Sequence, residues 1–454
     1  MKIVRIAELI TNAKTLVEKN EIVTIKGWIR TNRDSGKIGF IEAYDGSNIE
    51  GIQVVYKSES TINFDEAKLA RTGAAIYVQG NLNFNSRNSQ YEIVATEFKT
   101  LKQSDEDFPL QKKQHSMEFL REIAHLRGRT KTMQAAMSVR NRLMFAIHNF
   151  FQANGFKWIA TPIITSNDCE GAGENFLIQE DKNKPFFTPQ ASLTVSGQLN
   201  VETYAQSFGR VYTFGPTFRA DRSHTNRHLA EFWMIEPEIA FIDLPQLIAL
   251  EEAFIKNICQ DVIKNCSEEI KFFTELHPEI KDRLNHLVSK EFKKLEYRDA
   301  IELLKKAVAE GHQFEDNDIF FGKDLASEHE RYICEKIFNC PVFLMNYPKD
   351  IKAFYMKLNP DNETVAASDL LVPGVGEIIG GSQREDDYNK LMERTKTLNI
   401  DVRSIQWYID LRKYGYYASS GFGLGFERLV MYILGIENVR DTIPFPRYEG
   451  KISW

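Results

Sequence analysis

The chain has 454 residues, of which 43% are hydrophobic and 26% charged. These are ordinary globular proportions, and they exclude fibrous, collagen-like and wholly disordered chains. Lys+Arg total 57 and Asp+Glu 63, a formal net charge of −6, so no overall basic footprint announces a nucleic-acid partner.

The first hundred residues read as strands. Segments 22–31, 37–45, 49–56, 75–83 and 91–101 are rich in β-branched and aromatic residues, with turn signals DSG, DGSN and NSRNS between them. A helical stretch, 62–73, sits between the third and fourth strands. Five short strands with one inserted helix match an OB-fold barrel over 1–102; another small barrel or meander is the plainer alternative. A polar, proline-containing stretch over 103–118 then reads as an interdomain linker.

The remainder, 119–454, mixes helices and strands. Residues 131–155 carry apolar positions at helical spacing and stop at Gly155. Helical patterns also fill 245–265, 298–310 and 326–338, and strand-like runs occur at 210–220, 228–241, 341–347 and 351–358. Without regular βα alternation this is an α+β domain with an antiparallel sheet flanked by helices. The helical block of about 245–340 matches no motif, and its charge-rich stretches read as solvated faces.

The five cysteines, Cys169, Cys259, Cys266, Cys334 and Cys340, form no CxxC pair. A disulfide framework and a structural zinc site are therefore not expected, and a reducing, cytoplasmic setting is. The N-terminus is punctuated by Arg5, Glu8 and Lys14 and lacks the apolar core of a secretory signal. No apolar run of about 18 residues is present, so no membrane partner is expected.

Three segments carry chemistry. RVYTFGPTFRADRSHTNRHLAEFWMIEPEIAF (210–241) reads as two strands joined by a basic loop. Alternation puts His228, Phe232 and Glu236 on one face and Leu229, Trp233 and Ile235 on the other. Arg219, Arg222 and Arg227 offer planar forks suited to phosphate, and a phenyl face suits a stacked base. A solvated hairpin pairing its arginines with Asp221 and Glu231 is the bland reading. In GFGLGFERLVMYILG (421–435), alternating glycines lead into a helix that begins with Glu427 and Arg428. Gly425 and its companions admit close backbone approach to a ligand, or serve only as packing. In SDLLVPGVGEIIGGSQRED (368–386), Asp369 and Glu377 are separated by a turn and could share Mg²⁺ with a phosphate chain, although two acids alone are more often surface groups.

Taken together, these segments resemble the class II aminoacyl-tRNA synthetases, in the subgroup charging Asp, Asn and Lys. The likeness covers nearly the whole chain: an OB-fold in front, then the long helix into GFKWIATPIIT, then FRAD…RHLAEF, then GLGFERL. The resemblance implies the following roles. Arg219 grips the α-phosphate and the amino-acid carboxylate, Phe232 stacks on adenine, and Arg428 holds the γ-phosphate and covers the other face of the base. Arg227 and His228 contact the outer phosphates, and Asp369 and Glu377 ligate Mg²⁺. Pro162 lies at a homodimer interface. Asp221 stands where the family usually has Glu, so its contact with the adenine amino group or the tRNA end is shorter in reach. The amino-acid carboxylate attacks the α-phosphorus of ATP, pyrophosphate leaves, and the aminoacyl group passes to the 3′ hydroxyl of the tRNA. This is catalysis by positioning and charge rather than by a protein base.

Asparagine and aspartate are nearly isosteric, so the site must read an NH₂ donor against a charged oxygen. A pocket carboxylate does both, accepting from the amide and repelling the acid. In SGQLNVE (196–202), Gln198 is present, but Val201 stands where aspartate-charging relatives carry Lys. Glu236 stands where they carry Asp. Arg384 remains to donate to the side-chain carbonyl, and Glu170, in CEGAGE, with Gln198 would receive the α-amino group. This set suits L-asparagine and tRNA(Asn) as partners with ATP. In the barrel, Lys26, Arg30, Arg33 and Lys37 face only Asp34 between residues 26 and 40. That is a basic stretch ending at the aromatic Phe40, the combination by which OB-folds hold unstacked bases. By resemblance, Arg30, Arg33, Phe40 and Gln53 form the anticodon surface; for Phe40 a barrel-core position is the alternative. Competing readings are an aspartate-charging or relaxed Asp/Asn enzyme, an amide ligase, and a non-catalytic RNA-binding relative.

Overall fold

The computed structural model describes residues 3–113, 115–166, 175–178, 181, 183–223 and 225–452. It divides into two compact units, 1–135 and 136–454. The division falls inside the helix Lys131–Ala153, C-terminal to the 103–118 stretch.

In the first unit, β1 (Ile22–Asp34), β2 (Ile38–Tyr44), β3 (Ile52–Lys57), β4 (Ala75–Asn85) and β5 (Gln90–Lys102) close into a barrel in the order β1-β2-β3-β5-β4. Only β3 and β5 pair in parallel. Inward residues such as Ile25, Ile41, Val54, Val78 and Ile93 are completely buried, which is the period-2 signal that made the strands visible. The helix between β3 and β4 is shorter than expected, Phe64–Leu69. The unit has the OB-fold expected of it.

In the second unit the strands are β6 (Lys157–Trp158), β7 (Ile164–Thr165), β8 (Ser192–Leu193), β9 (Arg210–Phe218), β10 (Glu231–Ala240), β11 (Lys293–Glu296), β12 (Val342–Met345), β13 (Ala367–Val372), β14 (Gly376–Gln383) and β15 (Ser419–Gly425). Eight of them form one sheet ordered β11-β12-β13-β14-β15-β10-β9-β6. It is antiparallel from β12 to β9 and parallel only at its edges, β11 with β12 and β6 with β9. The helix Leu244–Asn265 packs against it through a buried stripe including Leu247, Glu251, Phe254 and Ile258. Asp243 caps that helix in a reciprocal box with Gln246.

One expectation needs correction, and one element was missed. Segment 351–358 is not a strand. It forms a short helical turn, Lys349–Ile351, and then isolated bridges at Met356 and Leu358, because its backbone bonds go to scattered partners, among them Gln383 and the Glu385 side chain. The helix Gln198–Phe208 was not anticipated, since SGQLNVETYAQ carries no start signal beyond a glycine.

Candidate active site

One face of the sheet carries the chemistry. Along β10, Phe232, Met234, Glu236 and Glu238 alternate onto it. The alternation starts at Glu231, so Leu229 is not turned away as expected; it lines the same pocket as His228 and Phe232. Across the sheet, Asp369 pairs with Gly380, and Gly380 with Gly423. The β13–β14 register slips between Leu370 and Leu371, which sets Leu371 opposite Glu377 rather than Ile378. This bulge re-aims Glu377 toward Asp369. A Cβ on Gly380 would lie 3.1 Å from Glu377 Oε1 and 3.4 Å from Asp369 Oδ1, so the two carboxylates converge over bare backbone.

Two adjoining pockets open on this face. The first is lined by Arg219, Asp221, Arg227, His228, Phe232, Glu377, Gly425 and Arg428. The second is lined by Ser196, Gln198, Glu236, Lys352, Asp369 and Arg384, with Tyr355 and Phe422 among its apolar walls. Arg219, Met234, Glu377 and Gly423 belong to both. The Arg219 guanidinium carbon is 5.4 Å from the Phe232 ring centre. Arg428, in the first turn of the helix Phe426–Leu434, donates to the Glu377 carbonyl at 3.2 Å. Glu427 next to it is buried, pairs with Arg140 at 2.7 Å and accepts from the Trp233 amide at 2.9 Å. That anchors the helix start to β10 and fixes where Arg428 begins.

The titratable groups are strongly perturbed. Burial, opposed by Lys352 and reinforced by the negative Glu377, pushes Asp369 up to about 6. Burial and Glu377 raise Glu330, on the helix Ser327–Tyr332, to about 7. Burial lowers His228, and Arg428, Arg219 and Arg227 lower it further against the pull of Asp221. A neutral His228 donates through one ring nitrogen only.

In the second pocket, Glu236 is 3% exposed. It accepts from the Ser196 hydroxyl and, at 2.9 Å, from the Gly197 amide. A Cβ on Gly197 would approach Thr161 Oγ1 to 2.5 Å and Glu236 Oε2 to 3.2 Å, so glycine is needed there. Arg384 is fully enclosed and forms a two-pronged pair with Glu238, while its third nitrogen donates to Ser382 Oγ at 2.7 Å. Gln198 donates to Glu202 at 3.2 Å.

The site residues read from the sequence therefore gather into two clusters, with Glu170 outside the described residues. Sequence reasoning missed Lys352, whose ammonium lies 2.5 Å from Asp369 Oδ2. It also missed Glu202, Glu238 and Glu330. Glu238 was legible in principle, two positions beyond Glu236 on one strand face. Lys352 was hidden in a segment read as a strand.

In the barrel, Phe40 is half-buried on the outer face, opposite the exposed Arg33 of β1 and Val55 of β3; it is not a core residue. Gln53 donates to Glu92 at 2.9 Å. Arg30, expected beside them, makes its contacts elsewhere in the same unit. It is the extra residue of a bulge between Ile29 and Thr31. Its guanidinium turns inward over the Tyr44 ring at 4.5 Å and donates to the Ile49 and Glu50 carbonyls, at 2.7 and 3.2 Å, and to Gln134.

The fold and the paired pockets define a class II aminoacyl-tRNA synthetase. The model of class II tRNA synthetases (D, K and N) matches residues 116–449, and that of the OB-fold nucleic acid binding domain matches 23–101. Among curated relatives, the asparagine–tRNA ligase of Malacoplasma penetrans is 55% identical over 95% of this chain and 96% of its own, and that of Ureaplasma urealyticum 52% over 99% of each. The solved asparaginyl-tRNA synthetase of Pyrococcus horikoshii, complexed with asparaginyl-adenylate, superposes with a TM-score of 0.88 at 32% identity, covering 100% of this chain and 99% of that one. The chain belongs to the asparagine–tRNA ligase family.

Proposed function

We propose that the second pocket holds L-asparagine, the first holds ATP, and adenylate forms where they meet. The observation carrying this reading is that Arg219 lines both pockets. An arginine at that junction bridges the amino-acid carboxylate and the α-phosphate. It holds the nucleophile in line with the phosphorus and offsets charge as pyrophosphate leaves. Phe232 and Arg428 supply faces for the base, while Arg227, His228 and Arg428 donate to the outer phosphates. The aminoacyl group is then attacked by the tRNA terminal hydroxyl, and AMP leaves.

Asparagine is favoured over aspartate by charge. Glu236 and Arg384 line the pocket, and behind them Arg384 pairs with Glu238 and Arg412 with Glu202; the acid at Glu236 repels a second side-chain carboxylate. Glu236 accepts from the amide NH₂, and Arg384 lies beside it for the carbonyl. Lys352 lines the same pocket, but its ammonium is committed to Asp369. A lysine released from Asp369 would neutralise aspartate, and this keeps a relaxed enzyme as the second reading. ATP–pyrophosphate exchange with Asn and with Asp, followed by tRNA charging, separates the two. Exchange with Asn alone is expected.

Asp369 and Glu377 suit Mg²⁺. They converge over Gly380; burial first and then the charge of Glu377 raise Asp369, a cost that a divalent cation would relieve. Asp369 and Glu377 would hold the ion through carboxylate oxygens, the ligand type Mg²⁺ prefers. When bound, it supplies charge neutralisation on the phosphate chain. The barrel reads the anticodon of tRNA(Asn) through Arg33, Phe40 and Gln53. A homodimer is supported by the exposed apolar Trp158, Ile163 and Ile164, near Pro162 in sequence, and Phe145 on the helix Lys131–Ala153; solution mass tests it. No described helix is long and apolar enough to cross a membrane. The four described cysteines are free and buried, in keeping with a cytoplasmic enzyme.

A further inference from the structure

Glu202 is completely buried one helical turn beyond Gln198. Its Oε2 accepts from Gln198 Nε2 at 3.2 Å and from the Tyr408 hydroxyl at 2.9 Å. Its Oε1 accepts from Arg412 Nη2 at 2.9 Å and from the Tyr416 hydroxyl at 2.7 Å. Arg412 is itself wedged between the two tyrosine rings, 4.3 and 4.0 Å from their centres. Four donors thus saturate one carboxylate. None of these five residues but Gln198 lines the amino-acid pocket.

An amide side chain has a donor end and an acceptor end, and a carboxylate takes only the donor end. The orientation of the Gln198 amide is therefore chemically forced. Its NH₂ faces Glu202, and its carbonyl oxygen is left for the pocket. We infer that Glu202 is a positioning residue that turns Gln198 into a fixed acceptor, so that the pocket accepts ligand groups carrying N–H and rejects a bare oxygen at that point. The tyrosine–arginine cage holds Glu202 in the one orientation from which it can do this, and an uncaged carboxylate would leave the amide free to rotate. This rests on Gln198 touching the amino acid, as proposed above.

The test uses the full-length enzyme in pyrophosphate exchange. Glu202→Gln gives Gln198 a neighbour that can itself donate, so the amide is no longer forced. The KM for asparagine should rise tenfold or more while the KM for ATP stays within twofold. The swap Gln198→Glu with Glu202→Gln again presents an acceptor to the pocket, and should bring the asparagine KM back to within about threefold of the parent. Equal rises for both substrates, or a swap no better than the single variant, would overturn the inference. If Gln198→Ala leaves the asparagine KM unchanged, it is instead the amino-acid role of Gln198 that fails. Should Glu202→Gln not fold, the parent enzyme still decides the matter by ¹⁵N NMR. The Gln198 side-chain amide, assigned by its loss in Gln198→Ala, should exchange with solvent more slowly than exposed glutamine amides. Exchange as fast as theirs would refute a fixed orientation.

Discussion

Lys352 holds Asp369: the ammonium lies 2.5 Å from the carboxylate and 3.9 Å from the centre of the Tyr347 ring. A buried monovalent cation therefore already stands against the carboxylate proposed above to hold the divalent cation. Replacing Lys352 with Met should strengthen Mn²⁺ binding in the absence of ATP, read by calorimetry. Unchanged affinity would mean the two cations do not compete.

The same carboxylate sets a pH dependence. Asp369 is raised to about 6, so below that pH it is protonated and a poor metal ligand. Exchange activity at limiting Mg²⁺ should rise with pH through about 6. Saturating Mg²⁺ favours the ionised form and should move this limb to lower pH. Lys352, Glu377, Tyr347 and Glu330 all couple to the group, so the limb belongs to the cluster as a whole. A limb that ignores Mg²⁺ would assign it elsewhere.

Glu236→Gln keeps the shape but loses the charge that accepts from Ser196 and Gly197. The loss in kcat/KM for asparagine should be about 100-fold, on the order of 3 kcal/mol, with little change in the KM for ATP. Equal losses would mark Glu236 as a purely structural group.

Arg30 and Phe40 should separate cleanly. If Phe40 stacks on a base as proposed, Phe40→Ala removes a contact worth about 1–3 kcal/mol per base, so the KM for tRNA should rise while pyrophosphate exchange is unaffected. Arg30→Ala removes the hydrogen bonds to the Ile49 and Glu50 carbonyls and the stacking over Tyr44, and should lower the melting temperature. A rise in the tRNA KM at unchanged stability would return Arg30 to the RNA surface.

Glu251 lies wholly buried beneath Gly381, and neither of its carboxyl oxygens has a hydrogen-bond partner. Burial, with Asp369 adding to it, raises this group well above the usual carboxylate range. A raised carboxyl contributes stability that is full below its unfolded value and is lost as pH climbs through its folded value. Glu251→Gln should therefore be nearly neutral for stability in acid and increasingly stabilising toward alkaline pH. A gain that does not grow with pH would show that Glu251 is relieved by some other route.

Much of this was legible because the signals are local. The barrel strands alternate, Arg219, Arg222 and Arg227 cluster in one loop, and the acids at 369 and 377 flank a turn. What escaped depends on contacts distant in sequence. Arg30 reads as one more cation in a basic stretch until a bulge turns it inward. Glu202 is joined to Tyr408, Arg412 and Tyr416, about two hundred residues away, and no spacing rule reaches that far. Lys352 sits in a segment whose alternation imitates a strand while its backbone bonds are scattered. The central strands β14 and β15 are glycine-rich, because the ligand face needs bare backbone where β-propensity would place bulk.

The first glycine of GFGLG has a use of its own. A Cβ at Gly421 would fall 2.3 Å from the Glu238 carboxylate, so the Glu238–Arg384 pair exists only because that position carries no side chain. The two positions are therefore bound in inheritance. A lineage that shortens or loses the acid at 238 releases 421 to drift toward alanine, and a lineage that keeps the acid cannot. Substitution at 421 should follow substitution at 238 across relatives and never precede it.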